Sequence, residues 1–320
     1  MILITGGTGF IGSNLVNSLN ESYDIYVSDW IKKRIYFKNF DRKKIINPEN
    51  LLNFININKN KITSIIHLGA ITSTTEKDVD LILKNNIFLS EYLWDFCCIN
   101  KKKFIYASSA ATYGNGIYGF DDDRNHGYYA KLEPLNIYGW SKHIFDRFVL
   151  KSIEQGRKPP QWVGLKFFNV YGPHEFHKGE MRSIVCKIYE RVIREKSINL
   201  FKSHRKDYLD GEQLRDFIYV EDVIDIIIWL LKKEKINGIF NIGTGEPKSF
   251  KDIASLVFKF CNKEKKITYI DMPKNIRSQY QYFTKANMSK LRKHGYKKEF
   301  TSLERGIKSY INNYLLNKYI

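Results

Sequence analysis

Thr5-Gly6-Gly7-Thr8-Gly9-Phe10-Ile11-Gly12 follows an apolar run, Met1-Ile-Leu-Ile-Thr5, and opens a helix-like run over residues 11–19. Glycines at 6, 9 and 12 permit a tight turn, close backbone approach to a pyrophosphate, and close packing of a helix on a sheet. The start of that helix offers unpaired N–H groups and a positive dipole end to phosphate. A glycine-rich turn alone is weak; the strand before it and the helix after it point to a dinucleotide. No Gly-Lys-Ser/Thr follows, which disfavours a phosphoryl-transfer loop.

Outward from this turn, strand-like runs at 1–5, 24–28, 64–68, 103–107 and 162–168 alternate with helix-like runs at 11–19, 85–97 and 138–152. Such alternation predicts a Rossmann-like doubly wound α/β fold, a parallel sheet with helices on both faces. After Gly172-Pro173 the pattern becomes irregular. The helical stretch 182–194 and the loop 204–213 stand outside the sheet, and the strand-like runs 215–220 and 238–242 are expected to rejoin it. The expected organisation is a dinucleotide-binding domain of residues 1–172 with 215–243, a smaller discontinuous C-terminal substrate-binding lobe of 173–214 with 244–300, and a C-terminal helix over 301–320. The substrate is expected between the two lobes.

Bulk properties narrow the class. A chain of 320 residues with 43% hydrophobic and 27% charged content has a globular composition and can bury a large core. Its apolar run from Val223 to Leu231 is broken by Asp225 and is too short to span a bilayer. No secretory leader pattern precedes the first strand, so a cytoplasmic location with no membrane partner is expected. Cys97, Cys98, Cys186 and Cys261 lack zinc spacing and are expected as reduced thiols. Net charge is +18, yet only 13 of 52 basic residues are Arg and no nucleic-acid module is recognisable. A solvated Lys-rich surface that helps attract a diphosphate is the preferred reading, with no nucleic-acid partner.

Two further stretches carry chemistry. Tyr138-Gly-Trp-Ser-Lys142 puts a phenol and an ammonium on one helix face, where the cation favours phenol ionisation and a base near neutral pH. Ser109, in Ala107-Ser-Ser-Ala-Ala-Thr-Tyr-Gly114, sits after a strand among small residues, where its hydroxyl can hydrogen-bond a reacting oxygen. Asp29 ends the second strand, the usual position for a carboxylate on an adenosine ribose. Lys32, Lys33 and Arg34 follow and can instead hold a 2′-phosphate, so the charge pattern permits NAD or NADP. His174 and His177 flank Glu175, but His-Glu-x-x-His is absent and no metal is expected.

Ser109, Tyr138 and Lys142, with Gly6, Gly9 and Gly12, resemble the extended branch of the short-chain dehydrogenase/reductases. Within that NAD-dependent epimerase/dehydratase group, further segments resemble the ADP-L-glycero-D-manno-heptose 6-epimerases over essentially the whole chain. They are Ser108-Ser-Ala-Ala-Thr-Tyr-Gly114, Pro134-Leu-Asn-Ile-Tyr-Gly-Trp-Ser-Lys142, Phe167-Phe-Asn-Val-Tyr-Gly-Pro173, His177-Lys-Gly179, Arg215-Asp-Phe217, Phe240-Asn-Ile-Gly-Thr-Gly245 and Tyr280-Gln-Tyr-Phe-Thr284. The resemblance implies an isomerase that inverts C6 of ADP-D-glycero-D-manno-heptose by transient oxidation, supplying lipopolysaccharide core heptose. It implies NADP, with NAD the alternative, and a homo-oligomer, a pentamer.

The same resemblance implies residue roles. Cofactor contacts fall on Phe10, Ile11, Asp29, Trp30, Leu68, Gly69, Ala70, Ile71, Thr72, Asn85 and Val170, and on Tyr138 and Lys142 at the nicotinamide ribose. Substrate contacts fall on Ser109, Asn169, Phe201, Lys202, Ser203, His204, Arg215 and Tyr280. Lys178 is implied as a second acid/base beside the cofactor. Trp30 departs from the Asn often found after the acidic residue. Ala110 and Ala111 stand where a dehydratase needs an Asp-Glu pair, which leaves another nucleotide-sugar epimerase, such as a UDP-hexose 4-epimerase, and a non-catalytic dinucleotide-sensing protein as the alternatives.

Overall fold

The computed structural model describes residues 1–30, 36–122, 125–195, 197–277 and 280–316. Its strands are β1 (Ile2–Thr5), β2 (Ile25–Ser28), β3 (Ile45–Ile46), β4 (Ser64–His67), β5 (Lys103–Ser109), β6 (Trp162–Phe167), β7 (Asn169–Tyr171), β8 (Ile198–Phe201), β9 (Leu214–Tyr219), β10 (Gly238–Ile242), β11 (Pro247–Ser249) and β12 (Ile267–Ile270). Seven form one sheet in the order β10-β6-β5-β4-β1-β2-β3, and every pairing is parallel. β1 and β4 are buried at every residue, with no alternation of buried and exposed positions, as strands covered on both faces are. This is the expected doubly wound α/β sheet. The chain direction of sheet building reverses between β1 and β4, so the crevice at their carboxyl ends is where a ligand is expected to bind.

One expected strand behaves differently. Residues 215–220 do not rejoin the main layer: β9 pairs parallel with β7 and antiparallel with β11 in a separate three-stranded sheet. Its ladder groups are taken by those neighbours, and β10 takes the edge beside β6 instead. A two-stranded parallel pair, β8 with β12, completes the sheet structure of the described residues.

Two apolar cores result. The first contains the main sheet, the helices Phe10–Leu19, Leu89–Ile99, Ile137–Glu154 and Val220–Lys232, and also Ala286, Met288, Leu291 and Tyr296. The second joins Ile184–Arg194, Phe250–Phe260 and Leu303–Tyr310 around Tyr171, Val185, Ile253 and Ile307. No helix among the described residues is long and apolar enough to cross a membrane.

Candidate active site

Gly6 takes φ +68°, and a Cβ there would lie 2.6 Å from the backbone of Gly69 at the end of β4. A Cβ at Gly12 would lie 2.2 Å from the Gly6 carbonyl oxygen. Only glycine fits these two positions, so the first turn and the helix it feeds close tightly over the carboxyl ends of β1 and β4. The resulting cradle has the shape and exposed backbone that a dinucleotide pyrophosphate requires.

A cavity of about 530 Å³ opens from this cradle. Gly6, Gly9, Phe10, Ile11, Gly12, Asp29, residues 68–73 and Val170 line it. So do Ser109, Tyr138, Lys142 and Lys178, with Ala107, Ser108, Phe167, Phe168, His177 and Met181. All four residues expected to move or orient protons therefore share one cavity with the glycine turn. Asp29 is turned inward: its Oδ2 accepts from the Thr8 N–H at 3.0 Å and hydroxyl at 2.7 Å, and its Oδ1 from the Trp30 N–H at 2.8 Å. Trp30 is exposed beside the cavity rather than in its lining. Lys32, Lys33 and Arg34 lie outside the described residues.

Tyr138 stands in the first turn of the helix Ile137–Glu154, which the Asn136 side chain caps by accepting from the Gly139 N–H at 2.8 Å. The positive end of the helix dipole favours a phenolate there. Ser109 ends β5, and its Oγ accepts from the Ala111 N–H at 3.1 Å. Burial raises the Tyr138 pKa, the Ser109 hydrogen bond opposes it, and the Asp146 charge adds to the rise. This reverses the easily ionised phenol expected from the Tyr/Lys spacing. Lys142 is itself 4% exposed, and burial lowers it to about 8 against the pull of Asp146. At about 8 the ammonium is still mostly protonated at neutral pH, and its charge acts through a poorly solvated surround. Lys178 arrives from another segment, with its Nζ 5.2 Å from the Phe10 ring centroid. Burial lowers its pKa and Glu175 raises it.

The residues expected to touch the rest of the substrate gather elsewhere, with none of them in this lining. The Arg215 guanidinium packs 5.4 Å from the Tyr280 ring, and Tyr280 meets Phe201 edge-on at 6.1 Å. Arg215 does not pair with Asp216. Its Nη1 donates to the Leu214 carbonyl at 2.9 Å and its Nη2 to the Gln281 carbonyl, leaving three of its five N–H groups for a ligand. Lys202 pairs with Asp271 at 3.5 Å, the Ser203 N–H donates to Asp210 at 2.7 Å, and the His204 N–H donates to the Tyr282 hydroxyl at 2.9 Å. Asn169 is exposed on β7.

Sequence reasoning missed the supports. Asn85 donates to the Leu81 carbonyl at 2.8 Å, while its neighbour Asn86 clamps the loop that follows β4. Asn86 exchanges hydrogen bonds with the Ile71 backbone at 2.8 and 3.0 Å and donates to Ser141 Oγ at 3.0 Å. The π-helical turn Leu83–Phe88 aims it there. Asp146, four residues after Lys142, accepts from Lys166 at 2.6 Å, Ser108 at 2.7 Å and Tyr106 at 3.0 Å. A charge at i+4 on a buried stripe was a readable signal for it. Glu175 accepts from Ser183, and His174 stacks on Tyr36 with ring centroids 4.7 Å apart. No cluster of three His, Cys, Asp or Glu fit to hold a metal occurs among the described residues.

A profile described as the NAD dependent epimerase/dehydratase family matches residues 2–243. Two bacterial proteins named ADP-L-glycero-D-manno-heptose-6-epimerase are similar over 98% of this chain and 98% of their own length: that of Fusobacterium nucleatum at 43% identity and that of Nitratidesulfovibrio vulgaris at 42%. The crystal structure of the Helicobacter pylori ADP-L-glycero-D-manno-heptose-6-epimerase superposes with a TM-score of 0.79 at 30% identity, covering 98% of this chain and 95% of that one. A Thermus thermophilus UDP-glucose 4-epimerase in complex with NAD shares the fold, with a TM-score of 0.73 at 23% identity and coverage of 97% of each chain. The chain belongs to the NAD dependent epimerase/dehydratase family and, within it, to the ADP-L-glycero-D-manno-heptose-6-epimerases, isomerases built around a nicotinamide dinucleotide.

Proposed function

We propose that this protein inverts C6 of ADP-D-glycero-D-manno-heptose to give ADP-L-glycero-D-manno-heptose, supplying heptose for a lipopolysaccharide core. The observation that carries the reading is that Tyr138 and Lys178, from separate chain segments, line one cavity with the glycine cradle. When a carbonyl turns its other face to a fixed hydride donor and its oxygen moves out of reach of the first base, a second proton donor serves it there. The names of the similar proteins support the substrate.

The glycine turn, Asp29 and residues 68–72 hold the dinucleotide, with Tyr138 and Lys142 at its nicotinamide ribose. A bound nicotinamide supplies reversible hydride acceptance from C6. Tyr138 takes the C6 hydroxyl proton at its phenolic oxygen, and Ser109 orients that oxygen by hydrogen bonding. The Lys142 ammonium and the helix start stabilise the phenolate. C6 lies outside the sugar ring, so rotation about C5–C6 turns the carbonyl over. Its oxygen then lies away from Tyr138, and Lys178 delivers the proton there. Arg215, with three N–H groups to spare, takes the diphosphate, while Phe201, Lys202, Ser203, His204 and Tyr280 surround the ADP and Asn169 the sugar. NADP is the form we assign, on Lys32, Lys33 and Arg34 in the sequence; NAD is its competitor. Family likeness supports a cytoplasmic pentamer.

The test incubates the purified protein separately with ADP-D-glycero-D-manno-heptose and UDP-galactose and reads the products by NMR. Inversion at C6 of the first and no change in the second is expected. Turnover of UDP-galactose alone contradicts the assignment, and full activity in Lys178→Met removes the second acid/base.

A further inference from the structure

We propose that Glu175 is a positioning residue for Lys178: its buried carboxylate closes the loop that carries the lysine and supplies the negative charge that keeps the lysine protonated. The inference rests on the reading of Lys178 as the second acid/base.

Glu175 is 0% exposed. Its Oε1 accepts from the Ser183 hydroxyl at 2.7 Å and from the Gly172 N–H at 3.4 Å, and its Oε2 accepts from the Ser183 N–H. One side chain thus ties both ends of the loop 172–183 together. Ser183 in turn caps the helix Ile184–Arg194, accepting from the Cys186 N–H at 3.3 Å. The near end of the loop is stitched to the cofactor helix, where Asn14 donates to the Pro173 carbonyl at 3.0 Å and Ser13 Oγ meets His174 Nδ1 at 3.3 Å. At the far end, Arg182 donates to the Gly179 carbonyl at 2.7 Å and pairs with Glu190. The Lys178 N–H itself donates to the Glu175 carbonyl at 3.0 Å.

Closing a loop does not require a charge. An amide would accept two of the three bonds at less desolvation cost, since a buried carboxylate is expensive unless something answers it. Lys178, three residues on in the same loop and bonded to Glu175 through its backbone N–H, is the cation whose charge acts on it. Glu175 also acts on Cys186 of the helix Ile184–Arg194 and Tyr310 of the C-terminal helix, raising the pKa of each so that both stay neutral. Burial lowers Lys178 and raises Glu175, and each charge opposes the shift of the other. The Glu175 charge therefore raises the fraction of Lys178 that carries the proton it is to deliver, against the lowering by burial.

Competitive acylation of the holoenzyme across pH, read at Lys178 by mass spectrometry, measures the lysine's titration midpoint directly. Glu175→Gln is expected to lower that midpoint by about one pH unit or more, the usual effect of losing an adjacent opposite charge. Its epimerase rate should fall more at pH 9 than at pH 7. Ser183→Ala removes one bond to the carboxylate but leaves the charge, so its midpoint should fall less than that of Glu175→Gln. Glu175→Asp keeps the charge one methylene further back and should lie between wild type and Glu175→Gln. If Glu175→Gln does not fold, the Asp variant decides: a lowered midpoint supports the proposal and an unchanged one overturns it. An unchanged midpoint in Glu175→Gln overturns it likewise. Full epimerisation by Lys178→Met alongside a shifted midpoint would remove the catalytic reading while leaving the pairing intact.

Discussion

The Asp146 carboxylate and the Lys166 ammonium meet at 2.6 Å with both side chains fully excluded from solvent. Lys166 also donates to Thr112 Oγ1 at 2.6 Å and lies 4.9 and 5.1 Å from the rings of Tyr113 and Tyr129. The pair sits beneath Ser108 and Lys142, tying the strand that ends in Ser109 to the helix that carries Tyr138. Removing one partner leaves a buried charge unanswered. Asp146→Asn should lose about 3–5 kcal/mol in urea unfolding. The double variant Asp146→Asn with Lys166→Met should recover part of that loss, and equal losses in both would contradict the pairing account.

The glycine cradle gives a second expectation. Gly12→Ala forces a methyl against the Gly6 carbonyl. The turn must open, and retention of nicotinamide dinucleotide through purification should fall about tenfold or more, about 1.4 kcal/mol or above. The absorbance and mass of the co-purifying cofactor report it. Wild-type cofactor content in Gly12→Ala would show that the cradle does not hold the pyrophosphate.

Acid stability should depend on His67 at the end of β4. Its Nε2 donates to Ser90 Oγ at 2.9 Å, because that hydroxyl already donates to the Asn86 carbonyl at 2.7 Å. Its Nδ1 then accepts from the Thr5 hydroxyl at 2.6 Å, so the ring is neutral with both nitrogens used. Burial lowers its pKa to about 3, with Lys142 adding to the effect. The unfolded chain binds this proton below about 6.5 and the folded chain does not. Stability is therefore fully present above about pH 6.5 and is lost as pH falls toward 3, by up to about 1.4 kcal/mol per unit from this one group. His143, lowered by burial to about 4, adds to the same slope. His67→Gln should flatten the pH dependence of the melting temperature in this window, and an unchanged slope would sink the claim.

Asp216 supports the other half of the site. Its carboxylate accepts from the Thr244 N–H at 2.7 Å and hydroxyl at 2.8 Å, the Gly245 N–H at 2.8 Å and the Ala286 N–H at 2.9 Å. An amide would turn an NH₂ toward two of these donors. Asp216→Asn should cost about 2–4 kcal/mol, one or two buried N–H groups losing their acceptor. KM for the nucleotide sugar should rise as well, since the segment carrying Tyr280 is anchored through Ala286. Unchanged stability and KM would refute this.

The legibility of the chain followed from how local each signal is. The glycine turn and the apolar runs of β1, β4, β5 and β6 depend on neighbours in sequence, and they were readable. So were Ser109, Tyr138 and Lys142, fixed by a strand end and a helical spacing. β9 was not, because a strand buried along nearly its whole length fits either sheet and only its partners β7 and β11 decide. Asn86 was masked by Asn85: a π-helical turn changes which of two adjacent residues faces the loop. Glu175 acts through Ser183, a partner that spacing along the chain does not reveal; Asp146 was readable as a charge four residues after Lys142, but its partner Lys166 was not. The direction of the Tyr138 shift was misjudged because spacing shows a nearby cation but not the burial that outweighs it.

The central claim is that one cavity removes and returns hydrogen at the same carbon. The most direct measurement is turnover of ADP-D-glycero-D-manno-heptose carrying deuterium at C6, in ordinary water, with NMR and mass analysis of the product. The account predicts the L-glycero product with deuterium retained at C6. Loss of the label to solvent would contradict it, as would an inverted centre at any other carbon.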